Sequence, residues 1–458
     1  MVEDTIAAVA TALGEGSIAV VRVSGPEAVD TVAGVFRSKT DLRSAASHTV
    51  HYGWIRDPEN EQVLDEVLVT VMRAPRSFTA EDVVEVSTHG GMVAVKSVLG
   101  LLLRRGIRMA EPGEFTKRAF LNGRIDLAQA EAVIDLIRSK SERAFQLARK
   151  QAEGSVSKRI VPIRSSLIEL LAHVEVNIDY PEHDVAEVTA GVIRDTCQSA
   201  LKQIEELLRT ADEGKILREG IVTAIVGRPN AGKSSLLNAL ARENKAIVTD
   251  IPGTTRDIVE ETISLGGIPL RLLDTAGIRE TSDVVERIGV ERSRTALNEA
   301  DLILLVINRN EPLHEDEREL LRQLKDRSTI VVVNKIDLPA MLDLEEVKKD
   351  YANDRIVFLS AKEGIGLDEL EKAVSQIFFS GSVEAADLTY VSNARHIALL
   401  HRAKSSLEDA VRAADEGIPV DLTQIDIASA WESLGEILGD AAGESLLDEI
   451  FSKFCLGK

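Results

Sequence analysis

Cysteine is nearly absent from this 458-residue chain, which holds only Cys197 and Cys455. Two thiols cannot build a disulfide framework or a zinc cluster, and such scarcity fits a reducing cytosol. Positive charge is also short: 54 Lys and Arg face 75 Asp and Glu, for a formal charge of −21. That balance opposes non-specific attraction to a polyanion and excludes a generic nucleic-acid coat. An RNA partner would need a local basic patch or a helper protein. Long apolar runs are missing too. Stretches such as Leu302 to Ile307 are too short to span a bilayer, and Met-Val-Glu-Asp at the start puts acid where a secretory signal needs base. There is no internal repeat and no low-complexity tract. These absences predict a soluble, cytoplasmic protein with no membrane partner.

What is present is a globular balance, 44% hydrophobic and 28% charged. At roughly 150 residues per domain the length predicts two or three domains. Residues 1–120 mix β-rich runs (Ile18 to Val23, Val67 to Met72, Val83 to Val86) with a helical stretch from Val93 to Leu103, an α+β pattern. From Asp126 the period changes. Leu127, Ala130, Ile134 and Ile137, then Ile193, Cys197, Leu201, Ile204 and Leu208, recur at helical spacing, so 121–217 reads as long helices. Between 218 and 380, β-branched runs alternate with amphipathic segments, as a parallel sheet wrapped by helices requires. The runs are Ile221 to Val226, Leu270 to Leu273, Leu302 to Ile307, Ile330 to Val333 and Ile356 to Leu359. Helix returns over 381–458, with Ile397, Leu400, Leu407 and Val411, then Leu434 and Leu438. The expected architecture is multidomain, α/β and α, with a Ras-like P-loop domain inserted into a helical domain. Two separate helical domains would give the same pattern.

Gly227-Arg228-Pro229-Asn230-Ala231-Gly232-Lys233-Ser234 matches G-x-x-x-x-G-K-[ST] and stands after a strand and before a helix. Such a loop turns backbone N–H groups around a β-phosphate, Lys233 adds charge to the β and γ oxygens, and the Ser234 hydroxyl ligates Mg²⁺. Asp274-Thr275-Ala276-Gly277 follows an apolar strand, as a metal-side aspartate and a γ-phosphate-sensing glycine would. Asn334-Lys335-Ile336-Asp337 also follows a strand and resembles the guanine motif of GTPases. There Asp337 would meet guanine N1–H and the 2-amino group, which adenine cannot offer, so GTP is predicted over ATP. Ser360-Ala361-Lys362 resembles the last guanine-contacting loop. The loop from Thr249 to Asp257 stands where a switch would be, with Thr255 as the second Mg²⁺ hydroxyl. The predicted nucleotide set is therefore Asn230, Ala231, Gly232, Lys233, Ser234 and Ser235; Thr249, Asp250, Ile251, Pro252, Gly253, Thr254 and Thr255; Asp274, Thr275, Ala276 and Gly277; Asn334, Lys335 and Asp337; and Ser360, Ala361 and Lys362.

Where many GTPases carry a water-orienting Gln, this chain has Ile278. Another polar group must serve, and 279–286 supplies candidates. A hydrophobic residue here, together with Asn230, resembles GTPases activated by a monovalent cation; K⁺ near the phosphates would replace an arginine finger.

The flanking segments carry a more specific resemblance. Ser17 to Gly25 (SIAVVRVSG), Ser77 to Asp82 (SFTAED), His89-Gly90-Gly91, Pro112-Gly113-Glu114-Phe115, Arg118 to Asn122, Asp126 to Ala132 and the closing Phe454-Cys455-Leu456-Gly457-Lys458 resemble the tRNA modification GTPase family MnmE, in the same order along the whole chain. The resemblance implies a homodimer joined through N-terminal domains of tetrahydrofolate-binding-like fold. It implies a flavoprotein partner, MnmG, that brings FAD, and a 5,10-methylene- or 5-formyl-tetrahydrofolate donor. The product would be an aminomethyl-type group on C5 of the wobble uridine of certain tRNAs.

It also places folate contacts on Arg22, Glu85, Arg124 and Lys458, with Arg124 standing where the family's pattern has Lys. The K⁺ site falls on Asn230, Thr249, Ile251 and Thr254, and the water-activating acid on Glu286. By themselves Arg22 and Glu85 read as an ion pair, and Asp283 with Glu286 as a solvated helix start. Cys455 is the one candidate nucleophile for a covalent route through uridine C6, although a lone Cys more often serves as a small hydrophobe. The rival readings are a ribosome-assembly GTPase, a slow regulatory GTP switch, and a folate enzyme with a regulatory GTPase.

Overall fold

A computed structural model describes residues 4–12, 14–179, 190–243, 261–273, 297–379, 391–440 and 442–458. The chain divides into two compact units, the first being Met1–Ile134 with Gln151–Glu169 and Ala428–Lys458, the second Asp135–Lys150 with Leu170–Ile427. The divisions at 134, 169 and 427 fall inside helices Leu127–Arg138, Ser155–Asp179 and Val420–Leu438. Among the described residues no helix is long and apolar enough to cross a membrane.

The first unit is built on a seven-stranded sheet of β1 (Ile6–Val9), β2 (Ile18–Ser24), β3 (Phe36–Arg37), β4 (Thr49–Arg56), β5 (Val63–Met72), β6 (Val83–His89) and β7 (Arg108–Met109). Its order is β3-β4-β5-β6-β2-β1-β7, antiparallel except for the parallel β1–β7 pair. Period-two alternation sends Val21, Val23, Val67, Val69, Val71, Val84 and Val86 into one core with helices Ala28–Val35 and Met92–Arg104. The intervening residues point to the opposite face. Register then aligns Ala8, Arg22, Glu85 and Thr70 in one row across four strands. On the same face Val50, Tyr52 and Trp54 of β4 and Leu68 of β5 remain exposed.

In the second unit, β8 (Ile221–Val226), β9 (Glu261–Leu265), β10 (Ile268–Leu272), β11 (Leu302–Asn308), β12 (Thr329–Asn334) and β13 (Ile356–Phe358) form a sheet of order β13-β12-β11-β8-β10-β9. The five expected runs all become strands. β9 was not among them, and it pairs antiparallel with β10, so the sheet is mixed instead of all-parallel. The alternating Glu-Thr-Ile-Ser-Leu before Gly266-Gly267 is a hairpin signal that would have located it. From β8 the chain passes to β10 on one side and then to β11 on the other, so β8 is the point where strand order reverses. Ligands of open α/β sheets bind outside the carboxyl end of such a strand.

Helices Ala190–Leu208 and Ala394–Asp415 also belong to this unit and pack together. Ion pairs Arg194–Asp415 (3.1 Å) and Lys404–Glu205 (2.8 Å) run in opposite senses along them, so the helices are antiparallel. The apolar stripe differs from expectation by a small rotation. Ala200 and Leu207 take buried places while Leu201 and Leu208 are half-buried. Cys197 is fully buried there, and burial pushes its thiol up to about 12.

Candidate functional site

Three loops gather at the carboxyl ends of β8, β12 and β13. After Val226 the chain turns at Gly227 (φ 145°), where a Cβ would lie 2.3 Å from the Val306 carbonyl oxygen on β11. It turns again at Gly232 (φ 97°), where a Cβ would lie 2.2 Å from Asn334 Nδ2. Any side chain at either position would push the loop off its neighbours. Between them exposed Asn230 adopts a left-handed φ of 65°, a conformation that Asn tolerates better than most residues.

Lys233 Nζ donates to the carbonyls of Gly227 (2.7 Å) and Arg228 (2.8 Å). Burial holds this ammonium below the usual lysine range. An arriving anion would compete with two carbonyls for it and favour its charged form. Ser234 and Ser235 are exposed on the first turn of helix Lys233–Glu243, whose N-terminus presents backbone N–H groups and the positive end of the helix dipole.

Asn334 joins all three loops. Its Nδ2 donates to the Ala231 carbonyl of the glycine-rich loop (2.9 Å). Its Oδ1 accepts from its neighbour Lys335 N (2.8 Å) and from Ala361 N (3.1 Å) after β13. The side chain is buried, and it acts as a strut between loops. Ser360, also buried, donates its hydroxyl to Asp337 Oδ1 at 2.6 Å. That bond, aided by Lys362 and Lys335 against a little desolvation, holds the Asp337 carboxyl below the usual range. Asp337 itself is exposed, with Lys335 half-buried at φ 64°. The structure therefore brings together Asn230, Ala231, Gly232, Lys233, Ser234, Ser235, Asn334, Lys335, Asp337, Ser360, Ala361 and Lys362. Thr249 to Thr255, Asp274 to Gly277 and Glu286 lie outside the described residues.

A second cluster forms in the first unit. Arg22 Nε pairs with Glu85 Oε1 at 2.8 Å across β2 and β6. The last residues lie against β1 and β2: Arg22 Nη1 donates to the Gly457 carbonyl (3.2 Å), and Phe115 N donates to the Lys458 carbonyl (3.2 Å). Gly457 makes this possible. Its φ is 88°, and a Cβ would stand 2.3 Å from the Val9 carbonyl oxygen. Burial, with Arg22 nearby, depresses the Lys458 ammonium. Arg22 also lies over the Phe115 ring at 5.7 Å. Arg124 lies over the Phe78 ring at 5.2 Å and donates to the Ser77 carbonyl at 2.6 Å. Both rings join one small apolar cluster with Ile6, Ala8 and Ala110. Cys455 is exposed in the same tail, its carbonyl accepting from Gly113 N (3.4 Å).

Two family profiles match the chain, one described as the GTP-binding protein TrmE N-terminus over residues 5–124 and one as the MnmE helical domain over residues 127–455. Proteins of Geobacillus thermodenitrificans and Geobacillus kaustophilus, each described as tRNA modification GTPase MnmE, are 59% identical over 458 residues, covering 99% of this chain and of their own. One of Bacillus cytotoxicus with the same description is 56% identical over 456 residues at the same coverage. The chain belongs to the MnmE family of tRNA modification GTPases.

Several of the motifs that carry this resemblance are structural neighbours of the second cluster. Arg118, 1% exposed, pairs with Asp4 (2.6 Å), Glu81 (3.2 Å) and Glu114 (3.1 Å), and Glu81 accepts from Ser24 Oγ (2.7 Å). Burial raises the Glu114 carboxyl, but the Arg108 guanidinium, the Glu111 N–H and Arg118 outweigh it and hold the group below the usual range. Of these, Ser24, Glu81, Glu114 and Arg118 stand in the sequence only as motif letters, and folding gives them a joint task, to lock the 77–82 and 112–118 segments beneath Arg22 and Arg124. Phe78 and Phe115 likewise become platforms for the two arginines, a role missed in the sequence. The signal was available, since each ring lies inside a quoted motif.

Proposed function

We propose that this chain is a cytoplasmic, homodimeric, K⁺-dependent GTP hydrolase. With the flavoprotein MnmG it installs a (carboxymethyl)aminomethyl-type group at C5 of the wobble uridine of certain tRNAs, drawing the carbon from 5,10-methylene- or 5-formyl-tetrahydrofolate. FAD belongs to the partner protein. The observation that carries the reading is the tail folded onto β2, which sets Lys458 beside Arg22 and Glu85. Two cations and one carboxylate, with Arg22 over the Phe115 ring, suit a ligand that carries carboxylates at one end and a donor-rich heterocycle at the other. Arg124 adds a planar guanidinium where Lys would give a point charge, which changes the geometry of a contact but not its sign.

Segment 218–380 serves as the GTPase domain between helical segments 121–217 and 381–458, with 1–120 as folate and dimer domain. Gly227 and Gly232 leave a cradle that a Cβ would fill, the shape a phosphate chain needs. Lys233 holds the phosphates, and Asp337, oriented by Ser360, reads guanine. Ser234 and Thr255 would hold Mg²⁺ through their hydroxyls, and Asn230 with the Thr249, Ile251 and Thr254 carbonyls would hold K⁺. When bound, both ions supply positive charge where the transition state becomes more negative. Glu286 positions the attacking water in place of the missing Gln. The exposed Val50, Tyr52, Trp54 and Leu68 support the homodimer, since a contiguous apolar face on a sheet marks an interaction site. Cys455 is the proposed nucleophile toward uridine C6, its exposure leaving the sulfur accessible.

Reconstitution with the flavoprotein, tRNA, GTP and methylene-tetrahydrofolate, read by nucleoside analysis, tests the whole reading. Modified uridine should require every component. Hydrolysis unchanged when Na⁺ replaces K⁺ would remove the cation mechanism, and a Cys455→Ser protein with full modification activity would remove the nucleophile.

A further inference from the structure

The second unit contains a cleft of about 300 Å³ that no part of the GTPase or folate reading uses. Its walls come from three places. Helix Ala211–Glu219 supplies Arg218 and Glu219, the β9–β10 hairpin supplies Thr262, Pro269 and Arg271, and Lys140 stands beside helix Glu142–Ala152. Three cations and a hydroxyl thus meet Glu219 and, through its pair with Arg218, Asp135, in a chain whose overall charge is −21. Asp135 holds Arg218 at its Nε (2.8 Å), fixing one edge of a guanidinium that has five N–H donors. Arg271 is likewise engaged with a partner, and it packs closely against the backbone. Gly220, at φ 83°, brings its backbone so close that a Cβ there would lie 3.3 Å from Arg271 Cγ and 3.0 Å from the Pro269 carbonyl oxygen.

The hairpin that forms one wall is itself held at its tip. A Cβ on Gly266 would collide with the Glu371 carboxylate, and one on Gly267 would lie 2.8 Å from Arg143 Cγ.

We propose that this cleft binds a small phosphate dianion, free or as a phosphomonoester, between Lys140, Arg218, Arg271 and the Thr262 hydroxyl. The size fits, because a volume of 300 Å³ equals that of about ten waters, room for a phosphate or pyrophosphate with part of its hydration. The charge fits as well, since dispersed guanidinium forks suit tetrahedral oxyanions. Such a ligand would bridge the helical segment to the hairpin, and the hairpin leads directly into 244–260 on one side and 274–296 on the other. Those are the two stretches in which the sequence places the γ-phosphate sensors.

The test uses the full chain with GDP and Mg²⁺ at saturation, so that the glycine-rich loop is filled and cannot take the probe. Inorganic phosphate and pyrophosphate are titrated by calorimetry and by ³¹P line broadening. The expected result is saturable one-site binding that Lys140→Gln weakens about three- to tenfold and Lys140→Glu more, while Lys140→Arg retains it; loss of one partly exposed charged contact is on that scale. Lys140 is exposed and outside the proposed nucleotide and folate sites, so GDP affinity should not change in these variants. Arg271→Gln should weaken binding similarly. Phosphate binding that none of these substitutions alters would overturn the assignment. So would dimethyl phosphate binding as tightly as phosphate, which would assign the cleft to a nucleic-acid strand. Failure of GDP itself to bind would count against the nucleotide reading, separately from the cleft.

Discussion

Asn334 should behave as a structural strut, and replacing it tests that role quantitatively. Asn334→Ala removes three hydrogen bonds and leaves the Ala231 carbonyl and the Ala361 N–H, both in buried residues, without that partner. Each abandoned buried group costs about 1–3 kcal/mol, so the loss should be about 2–6 kcal/mol, toward the lower end if water enters the space. For a domain of this size about 1 kcal/mol moves Tm by roughly 2–4 °C, so the nucleotide-free protein should melt roughly 4–24 °C lower, with the smaller shift if water enters. Asn334→Asp separates the contributions. It keeps the acceptor for Lys335 N and Ala361 N but sets an oxygen against the Ala231 carbonyl, at the place where Nδ2 now donates over 2.9 Å. A carboxyl there is raised by burial and by that carbonyl, and once protonated it can donate again. The penalty of Asn334→Asp should therefore shrink as pH falls through the raised pKa. Thermal denaturation from pH 5 to 8 without nucleotide, with GDP affinity measured alongside, gives the answer. A fall in affinity with no change in the nucleotide-free Tm would refute the reasoning, because Asn334 would then act on the ligand instead of on the loops.

Gly457→Ala should displace the tail from Val9, since left-handed backbone costs about 1–2 kcal/mol for Ala before any contact is counted. Tetrahydrofolate affinity should drop at least about tenfold in calorimetry with little change in GDP affinity; unchanged folate affinity would detach the tail from the site. Asp4 and Glu114 have carboxyls held below their usual range, where Arg108 and Arg118 overcome the opposing effect of burial. Their stabilising contribution is complete above the ordinary carboxylate range and disappears as pH falls through the depressed values. Melting of the first unit should thus steepen on the acid side, and Glu114→Gln should flatten that dependence; a parallel curve would show that the network does not titrate with folding. Trp54→Glu on the exposed sheet face should convert the proposed homodimer to monomer in analytical ultracentrifugation, and an intact dimer would move the interface elsewhere.

Much of the nucleotide loop was legible because its chemistry is contiguous. Gly227, Gly232, Lys233 and Ser234 sit within eight positions and follow one strand, so local pattern was enough to infer the turn and the helix that follows it. Short β-rich runs likewise located β2, β5 and β6, and continuous apolar runs the five parallel strands, since burial of one face or of both leaves its own trace. The edge strand β9 left a weaker trace, and pattern reading passed over it. The division of labour between Asn334 and Asp337 was not legible at all. Both belong to one motif, and only packing decides that the first side chain turns inward to tie loops while the second stays outside with Ser360.

Composition and motif spacing alone therefore determined that this chain carries a P-loop nucleotide domain, and the order of its motifs determined its family resemblance. Tertiary structure decided the rest. Arg22 and Gly457 are separated by 435 positions and meet only because strand register points Arg22 away from the valine core and a left-handed glycine lets the tail approach Val9. No local pattern encodes such a meeting, because its energy resides in contacts between segments that the sequence lists far apart.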